Sequence, residues 1–216
     1  MTAQPPIVDL STWQAALAEQ SRIDEDLIAQ TKVAAASRRR LPMTPVSQNY
    51  TVVGPEGEQS LAEIFGDARQ LVVYHVMYAP EWEAACPHCT QYAINQGHGI
   101  NKEVSERATR YVLMSRAPYE KLAAWAELKS ISTPWYSVPT EFAEEMGRIA
   151  PEFGDTPGIT VFFKADDGTI YRTYSTGGSI IETTMPASAI LRLTPYGMQE
   201  RGEDSPEGWP QRFDAM

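Results

Sequence analysis

The residue pattern predicts an α/β sandwich with a mixed central sheet. Two nearly continuous apolar runs, Gln70–Met77 and Arg110–Ser115, read as strands buried on both faces, and each leads into a helical segment. That alternation is the layout of parallel strands joined by crossover helices. Further along, Ile159–Lys164 and Thr169–Ser175 read as two strands joined around Asp166-Asp167-Gly168, a hairpin signal that adds an antiparallel pair.

The remaining elements follow in chain order. Residues 11–38 read as one long helix, capped by Ser11 with Gln14 completing a capping box. Trp13, Leu17, Ile23, Leu27 and Ile28 form a partial apolar stripe, Arg38, Arg39 and Arg40 sit at the end that suits cations, and Leu41-Pro42 stops the helix. Asn49–Val53 is strand-like, Gly54–Gly57 a turn, and Leu61, Ile64 and Phe65 a short helix stopped by Gly66. Residues 87–106 read as a helix weakened or kinked at Gly97 and Gly99. Pro118 suits the first position of a helix reaching Lys129. Trp135–Val138 is a short strand, residues 139–149 a helix capped by Thr140, and residues 186–193 a last helix. The tail from Thr194, rich in Pro, Gly and charge, reads as extended and anchored by Trp209 and Phe213. The organisation expected is an N-terminal helical arm (1–45), one α/β domain (46–195) and a C-terminal tail (196–216).

Composition narrows the function classes. A chain of 216 residues, 43% of them hydrophobic, can bury one sizeable core. Its net charge of −10 repels phosphate backbones and anionic lipid surfaces, so neither nucleic acid nor membrane is an expected partner. No apolar run has the length of a membrane span, and the first ten residues lack the basic and apolar regions of a secretory signal. A cytoplasmic location is the expectation.

The 2 cysteines lie three positions apart, as Cys86-Pro87-His88-Cys89. So short a loop constrains little of the unfolded chain and makes a poor structural staple. Redox chemistry or metal binding fits better. A thiol attacks a disulfide as its thiolate, and a second thiol must then displace the mixed disulfide. A Cys-x-x-Cys pair opening a helix meets both needs, because unpaired N–H groups and the helix dipole stabilise charge on the first sulfur while the second lies one turn inside. Cys86 follows a loop after a buried strand and precedes a helix, with Pro87 as the first helical residue, where a missing N–H costs nothing. Cys86 is therefore the expected nucleophile and Cys89 the resolving thiol. His88, as imidazolium, would stabilise the Cys86 thiolate further and make the disulfide more oxidising. Trp82, with Tyr78 and Glu83, is expected to flank the pair. Arg116, ending the second buried strand, is placed to steady a thiolate or a substrate carboxylate, or to make a surface salt bridge. His75 alternates within an apolar strand and reads as a satisfied core histidine; His98, among glycines, reads as exposed.

Taken together, Leu71–Cys89 (LVVYHVMYAPEWEAACPHC), Ser115-Arg116-Ala117-Pro118, Pro134-Trp135, Tyr174-Ser175-Thr176 and Leu193-Thr194-Pro195 carry a resemblance over most of the chain. The sequence resembles the bacterial family filed as domain of unknown function eight hundred and ninety-nine, described as predicted dithiol–disulfide oxidoreductases with a thioredoxin-like fold. The resemblance implies a thioredoxin-like three-layer sandwich with an N-terminal helical extension and an extended tail. It also implies a reaction class without a physiological substrate. In such folds a cis-proline facing the dithiol shapes the substrate groove, and Thr156-Pro157, directly before a strand, stands at that place. The chain departs from the family's usual pattern at Ala79-Pro80-Glu81-Trp82, at His88, where the family commonly has Ser, and at Gly177-Gly178. These changes leave the dithiol intact and bear on the redox potential and the groove.

The reaction expected is reversible exchange with a disulfide of a substrate protein or small thiol, with no cofactor and no bound metal. Two other readings compete. A peroxiredoxin-like peroxide reductase is suggested by Ser60–Phe65 before the buried strand, but Pro80 lies six residues before Cys86, one short of that family's spacing, and no Thr intervenes. A thioredoxin-like copper-binding protein would use two thiolates and an imidazole, yet His75, His88 and His98 lack clear ligand spacing. The long helix and the tail could each swap onto a second subunit, so a homodimer is also an expectation.

Overall fold

The computed structural model describes residues 3–97 and 99–214. The chain divides into two compact units, Met1–Pro42 with Leu191–Ala215, and Met43–Ile190.

In the first unit, α1 spans Leu10–Arg38. Its cap is Asp9 and not Ser11. The Asp9 carboxylate accepts from the Thr12 amide at 2.9 Å and from the Ser11 hydroxyl at 2.6 Å. A carboxylate is the stronger acceptor for the exposed first-turn donors, so Ser11 donates instead of capping. These bonds, that from Ser11 foremost, hold Asp9 down at about 2. None of the helix's residues is buried. In the tail, the Trp209 ring meets Tyr196 edge-on at 5.2 Å, and the Tyr196 hydroxyl donates to the Ala3 carbonyl at 2.7 Å. Trp209 thus packs on another residue of the tail, whereas Phe213 joins through a backbone bridge to Glu200 and its side chain is exposed.

The second unit is built on a sheet. Its strands are β1 (Thr44–Pro45), β2 (Thr51–Gly54), β3 (Gly57–Ser60), β4 (Gln70–His75), β5 (Thr109–Ser115), β6 (Trp135–Ser137), β7 (Ile149–Ala150), β8 (Gly154–Asp155), β9 (Gly158–Lys164) and β10 (Ile170–Thr176). The helices are α2 (Pro87–Asn95), α3 (Ile100–Ser105), α4 (Tyr119–Lys129), α5 (Thr140–Glu145) and α6 (Pro186–Leu191). Among the described residues, eight strands form one sheet in the order β1-β10-β9-β4-β5-β6-β2-β3, while β7 and β8 pair separately. β4 is central, parallel to β5 and antiparallel to β9, and β9 turns back antiparallel into β10. The order β10-β9-β4-β5, with α2 leaving β4 and helices on both faces, is the core of a thioredoxin-like fold.

Period-two alternation splits the core into two layers. Tyr74, Val76, Tyr111, Leu113, Trp135 and Ile159 face α2 and α4, where Cys89, Tyr92 and Leu122 meet them. Leu71, Val73, Val112, Met114, Tyr136 and Phe162 face the 3-10 turn Glu63–Phe65 and α5, where Phe142 and Met146 meet them. The helix expected over 87–106 is two helices, broken after Gln96, with Gly97 in the left-handed region at φ 62°. The expectation for His98 lies outside the described residues. Thr140 is the first residue of α5 and caps nothing; Pro139 precedes it as the cap residue, without a side-chain bond. β3, Gly-Glu-Gln-Ser, has no apolar residue to announce it; it forms because Gly57, at φ 89°, turns the chain back onto β2. Among the described residues no helix is long and apolar enough to cross a membrane.

Candidate active site

The Cys86–Cys89 pair sits where β4 hands over to α2. The strand ends at His75, two residues continue it, and the Cys86 N–H donates to the Met77 carbonyl at 3.0 Å. Cys86 is the cap residue of α2, Pro87 its first helical residue, and the Thr90 N–H closes the first turn on the Cys86 carbonyl at 2.9 Å. Both cysteines are free thiols; Cys86 is half-buried and Cys89 buried, at 1% exposure. One is therefore open to another molecule and the other shielded by the helix.

The electrostatics divide the pair. The Cys86 thiol is lowered to about 5, first by a hydrogen bond from the Cys89 side chain, then by the Cys89 and His88 backbone N–H groups and the His88 charge, against the opposing effect of burial. Cys89 is pushed up, by its bond to Cys86 and by burial, while the Tyr74 hydroxyl and the Met77 N–H act the other way. His88 is exposed and its charge acts least among these influences. The thiolate thus owes more to Cys89 and the helix N-terminus than to the imidazole.

The surrounding loop, residues 78–85, is pinned rather than free. Lys121 of α4 donates to the Pro80 carbonyl at 2.8 Å and the Trp82 carbonyl at 3.0 Å. The Ala117 N–H donates to the Tyr78 carbonyl at 2.8 Å, tying the loops after β4 and β5 together. Trp82, partly buried, packs against the core cluster, as does Cys86. Below them, Trp125 donates to the Thr90 hydroxyl at 3.1 Å, and that hydroxyl donates to the Cys86 carbonyl at 2.9 Å.

The other predicted residues have different roles. Arg116 forms a mostly buried ion pair with Asp155 at 2.6 Å, side-chain exposures 16% and 8%, so its charge is committed to that partner. The Thr156–Pro157 bond is trans, as is every peptide bond among the described residues, against the cis form expected. Two hydrogen bonds tie this segment to Arg148: the Thr156 N–H donates to the Arg148 carbonyl at 2.9 Å, and the Pro157 carbonyl accepts from the Arg148 guanidinium at 3.0 Å. Trans is also the intrinsically favoured form. His75 lies on the opposite sheet face from the cysteines, 5% exposed, its Nε2 paired with the Thr160 hydroxyl at 2.9 Å. No group of three or more His, Cys, Asp or Glu that could hold a metal occurs among the described residues.

Three contributors escape a motif-based reading: Tyr74, Met77 and Asp155. Tyr74 carries a period-two signal, since it shares a face with Val72 and Val76 and so points at whatever helix follows β4. Met77 acts through its backbone, and Asp155 sits 39 residues from its partner, so neither leaves a local pattern.

With this geometry in view, the sequence matches the family model described as "Bacterial protein of unknown function (DUF899)" over residues 2–216. The chain belongs to this family. No curated protein matches it in sequence. Among solved structures it is similar to the peroxidoxin BcpB from Mycobacterium tuberculosis, at 20% identity over 60% of this chain and 82% of that one, TM-score 0.45. It is likewise similar to thioredoxin peroxidase I of Plasmodium yoelii, at 16% identity over 71% and 85%, TM-score 0.47. A third is a mutant of peroxiredoxin Q from Xanthomonas campestris, at 12% identity over 69% and 98%, TM-score 0.47.

Proposed function

We propose that this family member is a dithiol–disulfide oxidoreductase acting through Cys86 and Cys89. The observation that carries the reading is the asymmetry of the pair: an accessible sulfur held at about 5 at the cap of α2, hydrogen-bonded to a buried one a turn away. At neutral pH Cys86 is a thiolate. It attacks a partner disulfide R–S–S–R′, forming Cys86–S–S–R and releasing R′–S⁻. Cys89, deprotonated, then attacks the Cys86 sulfur, closing the intramolecular disulfide and releasing R–S⁻, which takes up a proton. The partner is reduced by two electrons and the protein oxidised by two; reversal of the same steps oxidises a dithiol partner. The substrate is a disulfide of a protein or small thiol.

The direct test combines mass spectrometry with a redox titration. The reduced protein, mixed with a small disulfide, should lose two hydrogens as Cys86 and Cys89 join, and C86S should abolish the change. The equilibrium should give one two-electron potential. An unreactive Cys86, or a mixed disulfide that never resolves, would sink the reading. Peroxide reduction demands much faster oxidation of Cys86 by hydrogen peroxide than of a free thiol, which stopped-flow fluorescence of Trp82 and its neighbours would register.

A further inference from the structure

Cys89 poses a problem for the exchange just described: it must attack as a thiolate, yet it is buried and its ionisation is opposed. We propose that Tyr74 is a positioning residue for the resolving step, its hydroxyl donating to the Cys89 sulfur and stabilising the thiolate as it attacks Cys86. This inference rests on the dithiol reading and assigns a residue to its second half.

The placement is rigid. Tyr74 occupies the middle strand, paired with Leu113 on one side and Ile159 on the other, and is 2% exposed. Its ring stacks on Tyr92 with centroids 4.0 Å apart and planes 30° from parallel. Tyr92 follows Cys89 by three residues, so one turn of α2 sets the stacking ring and the resolving sulfur over the same tyrosine. Tyr92 is itself fixed, its hydroxyl 2.6 Å from that of Thr184. Tyr74 and Cys89 lie in one buried cluster, and from this cage the Tyr74 hydroxyl and the Met77 N–H both act to favour charge on the Cys89 sulfur.

The chemistry sets the direction of that bond. Burial, and the Cys89 charge beside it, keep the phenol protonated, so it donates and does not serve as the base. In the resting dithiol the Cys86 thiolate opposes a second negative charge on Cys89. Once Cys86 is bonded to R–S its charge is gone, while the Tyr74 and Met77 donors stay. Cys89 then gives up its proton, its sulfur bonds to that of Cys86, the Cys86–SR bond breaks, and the leaving R–S⁻ accepts the proton. Tyr74 keeps its own proton throughout.

The test uses the full chain and 5,5′-dithiobis(2-nitrobenzoate), whose coloured thiolate reports each step. Attack by Cys86 releases the first equivalent and resolution by Cys89 the second. In Tyr74→Phe the first release should be unchanged within about two-fold and the second slowed about ten-fold or more, the scale of one hydrogen bond to a charged sulfur. Tyr92→Phe, which keeps the donor but loses the Thr184 bond, should leave the second release near the wild-type rate. Equal slowing of both releases in Tyr74→Phe, equal slowing of the second release in both variants, or no slowing at all would overturn the role of Tyr74. Failure of the wild-type protein to give any first release would overturn the dithiol reading itself, a distinct outcome.

Discussion

Met77 holds Cys86 directly, its carbonyl accepting the Cys86 N–H at 3.0 Å, and its own N–H favours charge on Cys89. A residue just past the end of the central strand therefore fixes the backbone of Cys86 relative to the sheet. The bond to Cys86 uses the Met77 backbone, while its side chain packs against the core cluster that holds Cys89.

The division of labour around Cys86 predicts a ranking of variants. Thiolate absorbance followed against pH should give a midpoint near 5 for Cys86 in the reduced protein. C89A, which removes the largest stabilising bond, should raise that midpoint more than H88A does, because the His88 charge acts least. A larger rise in H88A would show that the imidazole dominates.

His75 makes acid stability a readout of the core. Burial, with a smaller push from the Arg148 charge, holds the imidazole down at about 3, while an unfolded histidine titrates near about 6.5. Between those values the unfolded chain binds a proton that the folded one does not, so stability is full above the upper value and lost as pH falls toward the lower. The melting temperature should drop from pH 7 to pH 4, and drop less in H75N. Equal drops in both proteins would assign the acid sensitivity elsewhere.

The Arg116–Asp155 pair predicts a non-additive result. D155N leaves a mostly buried guanidinium without its anion and should cost about 3 kcal/mol. That corresponds to a fall in melting temperature of about 6–12 °C for a chain of this size. Replacing both partners at once, R116M with D155L, should cost less than D155N alone. A double variant as unstable as the sum of its singles would mean that the two charges do not interact.

Gly158 opens β9 beneath Arg148. A Cβ there would overlap the Arg148 guanidinium and lie 2.7 Å from the Thr176 carbonyl. G158A should displace Arg148 from the Pro157 carbonyl and the Ser175 hydroxyl and cost about 1–3 kcal/mol, measured by denaturant unfolding. A variant as stable as the parent would show that the guanidinium moves aside freely.

Much of this molecule is decided by local sequence. The short apolar runs that became β4, β5 and β9, rich in β-branched and aromatic residues, favour buried strands, Asp167-Gly168 turns β9 back onto β10, and Pro87 after Cys86 suits the first position of a helix. Those features make the α/β order and the dithiol's place legible from residue types, since each depends on periodicity or a fixed dihedral. Tertiary structure decided what depends on residues far apart in the chain: that Arg116 pairs with Asp155, that Arg148 bonds to Thr156 and Pro157, and that Tyr74 and Cys89 pack in one cluster. Hydrogen bonds and charges choose the nearest partner in space, and which partner is nearest is settled only when the sheet and helices have packed.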